Sequence, residues 1–225
     1  MTRCAAGCCA SNWGWSSATP AVRRLKSRRR RAANPRSKGP GTVRIVAGSH
    51  RGARLRAPAG RDIRPTGDRT PEARFNLLAN GRHGHPLAGQ VVIDACAGTG
   101  ALGLEAVSRG AGQALFLEND RQALEIIRAN IAHLGVADAC QVLAVDVTRP
   151  GPPPRPGNIL LLDPPYASDL GGPAISALAG AGWLAEDARV VVETAAKAVF
   201  AAPADFTVLD ERRYGAAKLI FLSRA

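Results

Sequence analysis

The stretch Val91-Val92-Ile93-Asp94-Ala95-Cys96-Ala97-Gly98-Thr99-Gly100 decides how the rest of this sequence is read. Three consecutive β-branched apolar residues form a strand with no polar face. The glycines then turn the chain into Ala101 to Arg109, a helix whose apolar positions are Leu102, Leu104 and Val107. Strand, glycine turn and helix in that order open a ligand-binding α/β unit. Gly98-x-Gly100-x-x-Gly103 satisfies the dinucleotide fingerprint, and Glu118 falls 20 residues beyond Gly98 at the end of the next strand, placed to accept hydrogen bonds from ribose hydroxyls.

Outward from this unit, strands and helices alternate. Ala114 to Leu117, Gln141 to Val145, Ile159 to Leu162 and Val190 to Val192 read as strands. Arg121 to Leu134 is a helix with Leu124, Ile127, Ile131 and Leu134 at helical spacing, and Ile175 to Ala181 is a weaker one. Phe206 to Leu209 and Leu219 to Leu222 form a hairpin about Tyr214-Gly215. Strands apolar on both faces and separated by helices imply a parallel sheet covered on both sides. The expected fold is therefore α/β: a doubly wound, mostly parallel seven-stranded sheet with an antiparallel C-terminal hairpin and a small N-terminal extension.

The net charge of +12 divides unevenly: residues 1–42 contribute +10, residues 43–82 +6 and residues 83–225 −4. Such asymmetry points to a nucleic-acid contact made by the N-terminal third. Residues 1–42, with the run Arg28-Arg29-Arg30-Arg31 and no apolar period, are expected to be a disordered basic tail, and a start assigned too far upstream explains them best. Residues 43–86 form the extension: Val43-Arg44-Ile45-Val46 alternates like a strand, a basic turn follows, and Glu72 to Leu78 reads as a helix. Residues 87–225 form the main domain. No apolar run is long enough to span a membrane. Cys4, Cys8 and Cys9 sit in the tail while Cys96 and Cys140 stand alone, so neither metal nor disulfide is expected and the location is taken to be cytoplasmic.

In a doubly wound sheet ligands lie beyond the carboxyl ends of the strands. Both NAD and S-adenosylmethionine fit a glycine turn paired with an acid. Asp94 favours the second, because a carboxylate at the tip of the first strand repels a pyrophosphate but suits an amino group and a sulfonium. Alternatively Asp94 caps the helix that follows. Asp146, after the third strand, is placed to accept from an adenine amino group or is a polar loop residue.

Asp163-Pro164-Pro165-Tyr166, directly after the apolar strand Ile159 to Leu162, is the most specific signal. The prolines fix the backbone and remove two N–H donors, leaving carbonyl oxygens beside a carboxylate. An exocyclic amino group on a nucleobase fits there, donating to Asp163 and to the Pro164 carbonyl while Tyr166 stacks on the base. Holding both hydrogens on acceptors favours the pyramidal nitrogen whose lone pair attacks a methyl group.

Asp94 to Gly100, Glu118, Asp146 and Asp163 to Tyr166 together resemble the motif series of S-adenosylmethionine-dependent amino-methyltransferases, which have a Rossmann-like sheet. The block Arg44-Ile45-Val46-Ala47-Gly48, Arg51-Gly52, Arg64-Pro65-Thr66-x-Asp68-Arg69-x-x-Glu72-x-x-Phe75-Asn76 resembles in particular the RsmD family, which methylates a guanine N2 in 16S ribosomal RNA. The resemblance runs from residue 43 to about residue 224. It departs at Cys96, where the family usually has Phe, and at Thr70-Pro71, where the family helix carries more charge.

The resemblance implies that Asp94, Ala95, Gly98, Gly100, Glu118, Asn119, Asp146 and Val147 hold S-adenosylmethionine, covered by Thr66 and Arg69. It implies that Asp163, Pro164, Pro165 and Tyr166 form the catalytic wall, and that Arg44, Arg51, Arg54 and Arg64 contact RNA phosphates. The implied partner is 16S rRNA, within a small ribosomal subunit or its assembly intermediate, and a monomer without metal is expected. Three competing readings stand beside it: a DNA adenine or cytosine amino-methyltransferase, an NAD-dependent oxidoreductase, and a non-catalytic RNA-binding assembly factor.

Overall fold

The computed structural model describes residues 43–58, 69–80, 85–165 and 168–225, with residues 69–72 and 79–80 known as backbone only. The expected tail at 1–42 lies outside these residues. The elements are α1 (Arg69–Asn80), β1 (Val91–Ala95), α2 (Ala101–Ser108), β2 (Gln113–Glu118), α3 (Arg121–Leu134), β3 (Cys140–Ala144), β4 (Gly157–Leu162), α4 (Gly171–Gly180), β5 (Leu184–Ala195), β6 (Phe206–Tyr214) and β7 (Ala217–Arg224). The seven strands form one sheet in the order β3-β2-β1-β4-β5-β7-β6. The first five run parallel, and β7 pairs antiparallel with both β5 and β6. The fold is thus the expected one.

Both faces of the sheet are buried, for the reason visible in its strands. Ile93, Leu160, Leu162, Val190 and Val192 face one way and pack with Ile175 and Leu178 of α4. Val92, Ile159, Leu161 and Val191 alternate to the other face, where they meet Phe75 and Leu78 of α1. A third cluster joins Phe116 of β2 to Leu104 of α2 and Ile127 and Ile131 of α3. Gly103 lets α2 lie this close, since a Cβ there would stand 2.4 Å from the Phe116 ring.

Several elements differ from their sequence reading, β6 and β7 among them, which run longer than expected. α4 starts at Gly171, four residues before Ile175, because Pro173 is tolerated in a first turn. β5 is 12 residues long, held along its outer half by pairing with β7. In α2 the apolar positions Leu102 and Val107 are only partly buried, whereas Glu105 and Ser108 are buried.

That polar burial is explained by the N-terminal extension. Residues 43–55 form a hairpin around the Arg44–Arg54 bridge, with Ile45 and Leu55 entering the core. The Glu105 carboxylate accepts the N–H groups of Val46 (2.6 Å) and Ala47 (3.0 Å), and Ser108 Oγ donates to the Ala47 carbonyl at 2.6 Å. Gly48 has φ +86, and a Cβ on it would fall 1.8 Å from the Ser108 carbonyl oxygen, so no other residue fits this contact.

Candidate active site

The strand order reverses between β1 and β4, which opens a crevice at their carboxyl ends. Ala95 pairs with Leu162, so Cys96 and Asp163 leave the sheet side by side. After β1 the backbone is left-handed at Cys96 (φ 59), Gly98 (φ 56) and Gly100 (φ 75). Cys96 holds this conformation without being glycine, a strain on the order of 1 kcal/mol. Its thiol is pushed up to about 12, first by burial and then by the surrounding carboxylates, so it is no nucleophile near neutral pH.

The glycine turn is tied to its neighbours. One Glu118 oxygen accepts from Gly98 N–H at 2.9 Å, and the other accepts from Asn119 at 2.9 Å and Asp120 at 3.0 Å. Asn130 on α3 donates to the Thr99 carbonyl at 2.9 Å and to the Arg56 carbonyl at 3.1 Å, and its oxygen accepts from Arg56 N–H at 2.7 Å. This one buried amide therefore joins the turn to the basic hairpin.

Asp94 is buried, and its carboxylate accepts the Gly103 N–H at 2.8 Å, a bond that satisfies the first turn of α2. Burial drives its carboxyl up to about 8; the Gly103 bond and Arg74 oppose the shift, while Asp163 and Glu118 add to it. Asp146 is the opposite case. Bonds from the Thr148 hydroxyl (2.7 Å) and N–H (2.9 Å) hold its exposed carboxyl below the usual range.

A cavity of about 790 Å³ lies along the crevice. It brings together eight of the expected site residues: Gly98, Glu118, Asn119, Asp146, Val147, Asp163, Pro164 and Pro165. Asp94, Ala95 and Gly100 lie buried below it. Four acids line it (Glu118, Asp120, Asp146 and Asp163) and, among the described residues, no Lys or Arg does. A wall of this charge disfavours a pyrophosphate and favours a neutral or cationic ligand. A second cavity of about 390 Å³ shares Pro164 and Pro165 with the first and continues over Gly171, Glu193, Thr194 and Val199.

The expected RNA contacts Arg44, Arg51 and Arg54 are exposed on the hairpin. Arg64, Thr66 and Tyr166 lie outside the described residues, and Arg69 opens α1 with its side chain outside them. Sequence reasoning missed the ion pair between Arg74 on α1 and Glu193 at the tip of β5, both buried. The signal was an acid directly after the run Val190 to Val192. Asn130 was missed too, although it stands next to Ile131 at the helix's buried spacing.

The family described as Conserved hypothetical protein 95 matches residues 43–223. Over 160 residues the chain is 36% identical to the Ribosomal RNA small subunit methyltransferase D of Escherichia coli K12, covering 71% of this chain and 78% of that one. The chain belongs to the RsmD family. A second RsmD-family relative, from Haemophilus influenzae and of the same name, is 33% identical over 179 residues, 78% of this chain and 90% of its own length. A solved Escherichia coli structure of a candidate methyltransferase, yhhF, superposes with a TM-score of 0.68 at 31% identity, covering 82% of this chain and 98% of that one. The magnesium protoporphyrin IX methyltransferase of Synechocystis, solved with bound S-adenosylmethionine, shares the fold alone, at 19% identity and a TM-score of 0.54 over 70% of this chain and 79% of that one. This RsmD-family member is a methyltransferase, and S-adenosylmethionine is the methyl donor its relatives imply.

Proposed function

We propose that this chain transfers a methyl group from S-adenosylmethionine to the exocyclic N2 of a guanine in 16S ribosomal RNA. The observation that carries the reading is the Asp163-Pro164-Pro165 wall between two cavities, the larger lined by acids without a base among the described residues. That larger cavity fits the donor, with Glu118 accepting from ribose hydroxyls, Asp146 from the adenine amino group, and Val147 against the base. The acids lining the cavity suit its sulfonium and its amino group, while Asp94 holds the turn from beneath through Gly103. When bound, the donor supplies an electrophilic methyl on a positively charged sulfur.

The chain's own part is to present the nitrogen. Asp163 and the Pro164 carbonyl accept the two N2 hydrogens, which turns the lone pair out of the ring plane and toward the methyl. Tyr166 fits a stacking role. The N–CH₃ bond forms as the S–CH₃ bond breaks, and the proton then lost from N2 goes to Asp163 or to water. Alignment of the two reactants supplies several kcal/mol of the rate. Arg44, Arg51, Arg54 and Arg64 hold RNA phosphates, Thr66 and Arg69 cover the donor, and the names of the RsmD relatives support ribosomal RNA as the acceptor.

The test is transfer of labelled methyl to small ribosomal subunits and to duplex DNA, followed by nucleoside analysis. N2-methylguanosine in 16S rRNA is expected, and Asp163→Ala should abolish it while S-adenosylhomocysteine still binds. Label appearing in DNA alone overturns the proposal.

A further inference from the structure

The loop after β5 carries a feature that the site described above does not use. Val199 is 94% exposed, whereas the other exposed large apolar side chain among the described residues, Val208, is 41% exposed. A single exposed apolar residue is ordinary. This one is held in place on both sides. The Ala198 carbonyl accepts from the amine of Lys218, itself buried and 3.5 Å from Glu211, while Ala196 N–H bonds the Ala216 carbonyl at 2.8 Å. On the other side Phe200 packs against the main core and stands 3.0 Å from where a Gly171 Cβ would be. The bracing fixes the backbone and leaves the exposed Val199 in the lining of the second cavity, whose lining also includes Pro164 and Pro165. The exposed Lys197 two residues earlier adds a positive charge.

From this geometry we infer that Val199 is a positioning residue that enters the RNA base stack in the space left by the extruded guanine. The inference rests on the guanine-N2 reading. A base must leave its stack to reach an amino-group acceptor, and the unstacking costs a few kcal/mol. An apolar wedge inserted between neighbouring bases recovers part of that cost. A rigid wedge loses little side-chain freedom, and valine, stiff at χ1, suits the part.

The experiment compares wild type, Val199→Ser and Val199→Leu on small ribosomal subunits lacking the modification, measuring kcat and KM for methyl transfer. Wild type is expected to form N2-methylguanosine. The Ser variant should lose about tenfold in kcat with KM changed less than twofold, in keeping with a partial loss of the unstacking compensation. The Leu variant should return to within about twofold of wild type, and S-adenosylhomocysteine affinity and Tm should be equal in all three, as the side chain touches solvent. A Ser variant as active as wild type, a loss confined to KM, or a Leu variant as impaired as Ser overturns the inference. Absence of N2-methylguanosine with wild type removes the functional reading, and this inference with it.

Discussion

Arg74 of α1 and Glu193 of β5 form an ion pair in which the side chains are 3% and 2% exposed, and it fastens α1 to the sheet beside Asp163. Two Arg74 nitrogens, Nε and Nη1, have no hydrogen-bond partner among the described residues, so the pair is imperfectly satisfied there. Removing one partner strands a buried charge, at about 3–5 kcal/mol. Arg74→Met and Glu193→Leu should each lower the urea midpoint strongly, while the double variant should be more stable than either single one. A double variant whose loss equals the sum of the two would show that the charges do not act on each other.

Asp94 makes stability depend on pH. Its carboxyl, raised from 3.8 to about 8 chiefly by burial, keeps its proton in the folded chain over a range where the unfolded chain has lost it. The folded state then binds more protons, so stability falls as pH rises from about 4 to about 8, with a limiting slope of about 1.4 kcal/mol per pH unit, and levels off above. Asp94→Asn should flatten this part of the curve. Urea melts at several pH values in that window would show it, and a variant with the wild-type slope would locate the effect elsewhere.

Glu118 serves the loop before it serves any ligand. Its carboxylate takes three backbone N–H groups, from Gly98, Asn119 and Asp120. Glu118→Ala removes three charge-assisted bonds and should weaken S-adenosylhomocysteine binding roughly 10- to 100-fold, the equivalent of one such bond. Glu118→Gln, which keeps one acceptor, should fall between. Calorimetric titration reads both, and wild-type affinity in the Ala variant would contradict the role.

The hairpin arginines should act through charge and not through sequence. Arg44→Ala, Arg51→Ala and Arg54→Ala should each weaken rRNA binding and reduce the slope of log affinity against log salt by about 1. Filter binding over a salt series measures this. An unchanged slope in all three would move the RNA surface away from the hairpin.

The sheet was legible because its information is local and periodic. Uniform apolar runs such as Val91 to Ile93 and Ile159 to Leu162 can only be strands covered on both faces, and acids at their ends mark the crevice. What escaped was pairwise and distant. Nothing near Glu105 in sequence says that its carboxylate will hold two backbone N–H groups 58 and 59 residues upstream. Nothing near Asn130 announces a bond 74 residues away. In α2 that same distance misled the periodicity, since Glu105 and Ser108 are buried by the hairpin and not by the sheet. Of the two readings of Asp94, the structure displays the cap: its side chain accepts from Gly103 N–H, and it lies buried outside the lining of the cavity.

The anchors of the hairpin have a consequence for the order in which this chain matures. Glu105, Ser108 and Asn130 are synthesised 58 to 74 residues after the segment they secure. While the nascent polypeptide lengthens, its arginine-bearing hairpin is without these three anchors. Its last anchor arrives with the third helix, before Asp146 and Asp163 have been made, so the positive surface can be completed ahead of the acidic crevice.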